Sequence, residues 1–151
     1  MTFDELERDR SIERALVGPA EMAELLRLAR RDVRTAAALI ESDLDWAFAV
    51  AYNGVLQSSV AYMASRGYRP RSSGKHFNTF RFMIVALPDE SEMIGRLQRL
   101  RKKRNSTVYE HVGLVGESEA RDIIDFAARY IDMMTELMPP EVAGLLEGDE
   151  T

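Results

Sequence analysis

An arginine and a histidine lie seven residues apart in the second half of the chain, at Arg104 and His111. Histidine titrates near neutral pH, so its imidazole can accept or donate a proton during a reaction. A guanidinium can stabilise the negative charge of a phosphorane transition state. Because the 2′-hydroxyl of RNA can itself be the nucleophile, this pair predicts a site that cuts RNA without a metal ion. The simpler alternative is that Arg104 only extends towards solvent at a helix end.

The segment that carries Arg104 has the apolar spacing of a helix, which we predict from Glu90 to Asn105. Position 104 follows Leu97 by seven residues and Leu100 by four, so Arg104 continues the apolar face of this helix. The stripe before it consists of Met93, Ile94, Leu97 and Leu100. The remaining basic residues lie off the stripe and are predicted to be solvated; they are Arg96, Arg99, Lys102 and Lys103.

Positive charge is concentrated around this helix. The whole chain has a formal net charge of −5, but residues 66–104 carry 11 basic and 3 acidic side chains, a net charge of +8. A basic block of this kind can bind a polyanion locally even in an acidic protein. It can equally dock on an acidic surface of another copy, or be an ordinary solvated face.

Helical spacing extends over nearly the whole chain, which predicts an all-α fold: an up-down bundle of four to five main helices. We expect an N-terminal extension over 1–18 with a short helix, the bundle over 19–138, and an acidic, partly disordered tail over 139–151. No segment alternates for long enough to predict a sheet. The predicted helices are Leu6 to Leu16, Ala20 to Glu41, Leu44 to Arg66, His76 to Leu87, Glu90 to Asn105, and a last one capped by Ser118 and ending near Met138.

Several classes of protein are excluded or disfavoured by composition. The chain has no cysteine, which excludes disulfides and thiolate metal sites. There is no phosphate-binding glycine loop, and no Glu-x-x-His pair for a di-iron centre, so no cofactor or metal is predicted. The uncharged stretch Trp46 to Ser65 is too polar for a membrane span and predicts a central buried helix. With no apolar signal sequence at the start, we expect a cytoplasmic protein that does not enter a membrane.

Three segments together resemble HEPN domains, over roughly residues 20–138. The first reads DWAFAVAYNGVLQSSVAYMASRGYRPRSSGKH, which is similar to the central HEPN helix and the loop after it. The second, RKKRNSTVYEH, is similar to the HEPN signature of arginine, a polar residue and a histidine a few positions on, matched by Arg104, Asn105 and His111. The third, VGESEARDIIDFAARYIDMM, resembles the last helix of the family.

The resemblance implies a homodimeric bundle that acts as an endoribonuclease, often as a toxin or defence effector paired with a nucleotidyltransferase-like antitoxin. It implies that Arg104 binds the scissile phosphate, that His111 serves as acid, base or phosphate-positioning group, and that Asn105 holds the site by hydrogen bonding. The commonest toxin form has a tyrosine two residues after the histidine, whereas this chain has Gly113 there and Tyr109 two before. Further RNA-binding candidates are Arg101, Lys102, Lys103, Lys75, His76 and Tyr109.

A second interpretation stays open beside the nuclease. Some HEPN proteins keep the fold without the activity, and such a module would use its basic block to bind a partner protein or a nucleotide. An inert bundle and a nuclease can share every predicted helix, since a fold does not determine a function.

Overall fold

A computed structural model of the chain describes residues 1–106 and 113–149, and these are mostly helical. The all-α prediction is therefore confirmed. The helices are α1 (Phe3–Arg8), α2 (Pro19–Leu39), α3 (Leu44–Ser65), α4 (Lys75–Ala86), α5 (Ser91–Asn105), α6 (Glu117–Glu136) and α7 (Pro140–Leu146), and a single 3-10 turn, Glu147–Asp149, follows α7. Two short strands are present in the same ranges: β1 (Ile12–Arg14) and β2 (Tyr68–Pro70).

Helix α3 lies at the centre of the bundle, as its uncharged sequence predicts. It begins after Asp43, whose carboxylate accepts a hydrogen bond from the backbone N–H of Trp46 at 3.0 Å. Fourteen of its residues are buried, on several faces, because α2, α4, α5 and α6 all pack against it. None of the helices in the described ranges is both long enough and apolar enough to cross a bilayer.

The interface between α2 and α3 is the most extensive in the bundle. Gly54 makes it close, because a Cβ atom at that position would lie 3.1 Å from the backbone carbonyl oxygen of Ala29. A partly buried polar pair crosses the interface: the side-chain amide of Asn53 donates to the carboxylate of Asp32 at 2.9 Å. The two long helices thus form a rigid hairpin on which the other elements are assembled.

Helix α6 covers the hairpin on another side. The buried residues of α6 lie at helical spacing, among them Ala120, Ile123, Ala127, Ile131 and Met134. Gly116 and not Ser118 occupies its N-cap position, and no side chain caps the helix. Inside this contact the hydroxyls of Ser59 and Tyr130 form a hydrogen bond of 2.6 Å. Burial raises the pKa of Tyr130 well above its ordinary value, so this hydroxyl stays neutral over the physiological range.

The prediction that the chain contains no sheet is wrong. Strands β1 and β2 pair antiparallel, with Ile12 opposite Pro70 and Arg14 opposite Tyr68. An ion pair of 2.7 Å between Arg69 and Glu13 reinforces the pairing. Three residues are too few for an alternating pattern to be recognised, and the N-terminal helix accordingly ends at Arg8 rather than extending to Leu16.

The predicted acidic tail includes a helix, since Pro140–Leu146 form α7. Helix α7 packs against α2, with Val142 and Leu146 buried on one of its faces. The Arg27 guanidinium of α2 also donates a hydrogen bond of 2.8 Å to the carbonyl oxygen of Leu145. Two apolar residues four positions apart are sufficient to attach a two-turn helix to the bundle.

Candidate functional site

A cleft lies between the start of α4 and the end of α5. Its volume is about 270 Å³, and its opening faces solvent. The residues that line it are Gly74, Lys75, His76, Phe77, Arg101, Arg104 and Asn105. Five of these seven were singled out from the sequence, and they come from two segments about 25 residues apart, so the fold is what brings them together.

The turn before α4 sets the positions of Lys75 and His76. Gly74 has φ of 76°, a left-handed conformation that favours glycine, and it occupies the N-cap of α4. The side-chain amide of Asn78 donates to the carbonyl oxygen of Ser73 at 2.9 Å, which fixes the turn from the other side. Lys75 and His76 are consequently the first two residues of a well-defined helix.

The last turn of α5 supplies the other wall of the cleft. Arg101, Arg104 and Asn105 come to the same side because they are spaced by three and four residues on a helix. Leu97 and Leu100, one turn earlier, are buried in the core. The apolar stripe therefore leads directly into the cleft, as the position of Arg104 after Leu100 predicts.

A tyrosine of α3 lies beneath the cleft. The hydroxyl of Tyr52 is 3.2 Å from Nδ1 of His76, within hydrogen-bonding distance. The Cζ atom of Arg104 lies 5.8 Å from the centre of the Tyr52 ring, in the range of a cation–π contact. Tyr52 itself is almost completely buried, so it links the core of the bundle to both cleft residues.

The electrostatic environment keeps the His76 imidazole neutral. Partial burial is the largest cause that lowers its pKa below the ordinary value of 6.5. The positive charges of Arg104, Lys75 and Arg101 lower the pKa further, in that order. The cleft thus combines three cationic side chains with one imidazole whose lowered pKa favours the neutral form.

Arg101 has a further feature that suits a ligand. Its Nε atom is buried and has no hydrogen-bond partner within the part of the chain that the structure describes. Its guanidinium lies over the exposed ring of Phe77, with Cζ 5.3 Å from the ring centre. An anionic acceptor that enters the cleft can form a hydrogen bond with this unsatisfied donor, which would stabilise the bound state.

Two other residues predicted to bind RNA, Lys102 and Lys103, do not line this cleft. Lys103 instead forms an ion pair of 3.3 Å with Glu119 of α6, and its ammonium donates to the carbonyl oxygen of Leu114 at 3.0 Å. Lys102 is exposed on another face of α5. His111 and Tyr109 lie outside the described residues, so their predicted roles stay predictions.

Two cleft components were not anticipated. Phe77 lines the opening, and Tyr52, which sequence reasoning places in the core, reaches His76 from 24 residues away. An aromatic residue in a helix that is apolar all round carries no signal that its hydroxyl meets a distant histidine. Only the packing of α3 against α4 reveals that contact.

No protein-family model matches this chain, and no curated protein matches its sequence. The residues that the structure describes also contain no group of three or more acidic or histidine side chains arranged to hold a metal ion. The function of the cleft between α4 and α5 therefore has to follow from the chemistry of the residues that line it.

Proposed function

We propose that the cleft binds the phosphate backbone of RNA and that the protein is a metal-independent endoribonuclease of the HEPN type. The observation that carries the proposal is the convergence of Lys75, Arg101 and Arg104 around a neutral histidine in one solvent-facing cleft. Three cations, one of them with a buried unsatisfied donor, suit the successive anionic phosphates of a nucleic-acid backbone. The resemblance to HEPN domains, carried by Arg104, Asn105 and His111, supports the same reaction.

The reaction would proceed by transesterification. The RNA 2′-hydroxyl attacks the adjacent phosphorus, and the bond to the 5′-oxygen of the next nucleotide breaks, which leaves a 2′,3′-cyclic phosphate. Arg104 would stabilise the phosphorane charge, and His111 would transfer a proton. Asn105, at the end of α5, would hold the site by hydrogen bonding. In the HEPN arrangement two copies of the chain would contribute their sites to one interface, so a homodimer belongs to the proposal.

A second candidate function is a binding module that holds a partner protein or a nucleotide without cleaving anything. The observation that favours it is that, of the described cleft residues, three are cations and only one, His76, is a candidate acid or base. A phosphate-binding cleft needs no acid or base, whereas cleavage benefits from both. The two functions therefore differ in whether histidine substitutions change a rate or only an affinity.

The test is incubation of the purified protein with mixed single-stranded RNA in the presence of EDTA. We expect products that end in 2′,3′-cyclic phosphate, with the rate lowered by a factor on the order of 10² to 10³ in Arg104→Ala because a transition-state contact is lost. His111→Ala should likewise abolish most of the cleavage. Lys102→Ala is the matched control, since it removes one positive charge from the same helix outside the cleft.

Three results would contradict the nuclease. They are the absence of cleavage by the wild-type protein, cleavage that depends on added metal ions, and cleavage that survives both Arg104→Ala and His111→Ala. If the wild-type protein binds RNA or a nucleotide with an affinity that Arg104→Ala reduces, yet cleaves nothing, the binding module is the correct function.

A further inference from the structure

His76 is one of two histidines in the chain, and the structure places it inside the cationic cleft. We propose that His76 is a catalytic residue that accepts the proton of the attacking 2′-hydroxyl, with Tyr52 as the residue that positions its imidazole. This role rests on the proposed ribonuclease function and assigns a proton-transfer group to the described cleft.

A contact with Tyr52 orients the His76 ring. The Nδ1 atom of His76 is 3.2 Å from the Tyr52 hydroxyl, so a buried side chain holds one ring nitrogen. In the tautomer that carries its proton on Nδ1, the Nδ1–H group donates a hydrogen bond to the tyrosine oxygen. The lone pair then lies on Nε2, the nitrogen that Tyr52 does not contact. That tautomer is the one that can accept a proton from a substrate bound in the cleft.

Positive charge surrounds the His76 ring. Among the residues that the structure describes, the titratable and charged groups that face it are Lys75 on its own helix, Arg101 and Arg104 on α5, and Tyr52 on α3. The three cations disfavour an imidazolium, so the free protein holds His76 in the neutral form that a base requires. A bound phosphate would offset these cations, and the proton affinity of His76 would then rise where the 2′-hydroxyl is present.

The proton balance of the step is complete. The 2′-oxygen forms a bond to phosphorus and loses its proton to Nε2 of His76. The bond between phosphorus and the 5′-oxygen breaks, and that oxygen takes a proton from water. The cyclic phosphate ester and the 5′-hydroxyl then leave, and proton exchange with water restores the neutral form of His76.

The test uses an oligonucleotide in which sulfur replaces the 5′-oxygen of the scissile bond, compared with the ordinary RNA of the same sequence. A thiolate leaves without protonation, so this substrate needs a base but no acid. We expect His76→Ala to slow both substrates equally, by a factor on the order of a hundred or more.

Binding is measured separately, because His76 lines the cleft. A 2′-O-methyl oligonucleotide cannot be cleaved by this route, and His76→Ala should bind it as tightly as the wild-type protein does. Any of three results would overturn the proposal: unchanged cleavage in His76→Ala, recovery of its rate on the sulfur substrate, or loss of binding large enough to explain the slower cleavage. A wild-type protein that cleaves neither substrate would overturn the ribonuclease function itself, and this role with it.

Tyr52→Phe tests the positioning role. The substitution keeps the ring that packs in the core and removes only the hydroxyl that meets His76. We expect a lower maximal rate with an unchanged KM. The limb of the pH–rate profile that reports the titration of His76 should shift in Tyr52→Phe and be absent in His76→Ala. A change confined to thermal stability, with the rate and pH profile of the wild-type protein, would show that the contact is only structural.

Discussion

Tyr52 and Tyr130 are equally buried, yet their hydroxyls have different kinds of partner. The Tyr130 hydroxyl meets Ser59 at 2.6 Å inside the contact between α3 and α6, where both residues are sealed from solvent. The Tyr52 hydroxyl meets the imidazole of His76, which lines a cleft open to solvent. The first hydrogen bond joins two neutral groups, and the second joins the core to a group that can change its charge.

This difference separates a structural region from a candidate reactive one. A buried hydroxyl must find a partner wherever it lies, because an unsatisfied polar group in the core is costly. Where the partner is another neutral hydroxyl, the bond contributes stability alone. Where the partner is a titratable ring among three cations, the same kind of bond can also set a tautomer. If the two regions are independent, substitutions around Tyr130 should change stability alone, and substitutions around Tyr52 and His76 should change RNA cleavage.

The largest effect on stability is expected in the sealed region. Ile131 of α6 is 1% exposed and packs close to Gly54 of α3. We expect Ile131→Ala to lower the free energy of unfolding by about 2 to 5 kcal/mol, because it removes buried methyl groups and leaves a cavity. Urea unfolding measures this change. Asp125→Ala, an exposed position on the same helix, should stay within about 0.5 kcal/mol of the wild-type protein.

A smaller effect is expected from Tyr130→Phe. The variant loses its hydrogen bond to Ser59, while the Ser59 hydroxyl keeps a bond to the carbonyl oxygen of Val55 at 2.8 Å. We expect the free energy of unfolding to fall by about 1 kcal/mol, the net value of one such bond. RNA binding and any cleavage should be unchanged. A variant that keeps its stability but loses activity would contradict the separation of the two regions.

The smallest effect concerns pH. The pKa of His76 is lowered in the folded protein, so as pH falls below its ordinary value of 6.5 the unfolded chain binds a proton that the folded chain does not. Stability is therefore fully present above that pH and declines towards the lower folded pKa. We expect wild-type protein to lose more stability than His76→Gln between about pH 7 and about pH 5. Denaturation at several pH values, or NMR titration of the imidazole, measures the difference; parallel curves for both proteins would contradict it.

The sequence predicts the helices well where the apolar pattern is long. The uncharged sequence of α3 and the helical spacing of apolar residues in α6 predict which faces of these helices are buried. The same spacing in α5 places Arg104 at the edge of the core. The two strands escape prediction because each is three residues long and its partner lies far away in the chain. Helix α7 escapes because two turns after a Pro-Pro pair carry few positions from which to recognise a pattern.

The site divides in the same way. Arg101, Arg104 and Asn105 are related by helical spacing, so their common face can be read from sequence. The approach of Lys75 and His76 to that face depends on how α4 packs against α5, which no local pattern encodes. The contact between Tyr52 and His76 depends on how α3 packs against α4. Sequence reasoning therefore supplies the chemical groups, and tertiary packing supplies the pairing of the base with its positioning residue.

The pairing of β1 with β2 has a consequence for the order of folding. It joins Ile12 to Pro70 across the whole hairpin of α2 and α3, whereas contacts within that hairpin join residues nearer in sequence. Closing the long loop between β1 and β2 costs conformational entropy. That cost falls once α2 and α3 have packed together and brought the two strands close. The strand pair should thus form late, and the turn that leads from β2 into α4 should become fixed only then. On this pathway, the cleft is among the last parts of the molecule to reach its native shape.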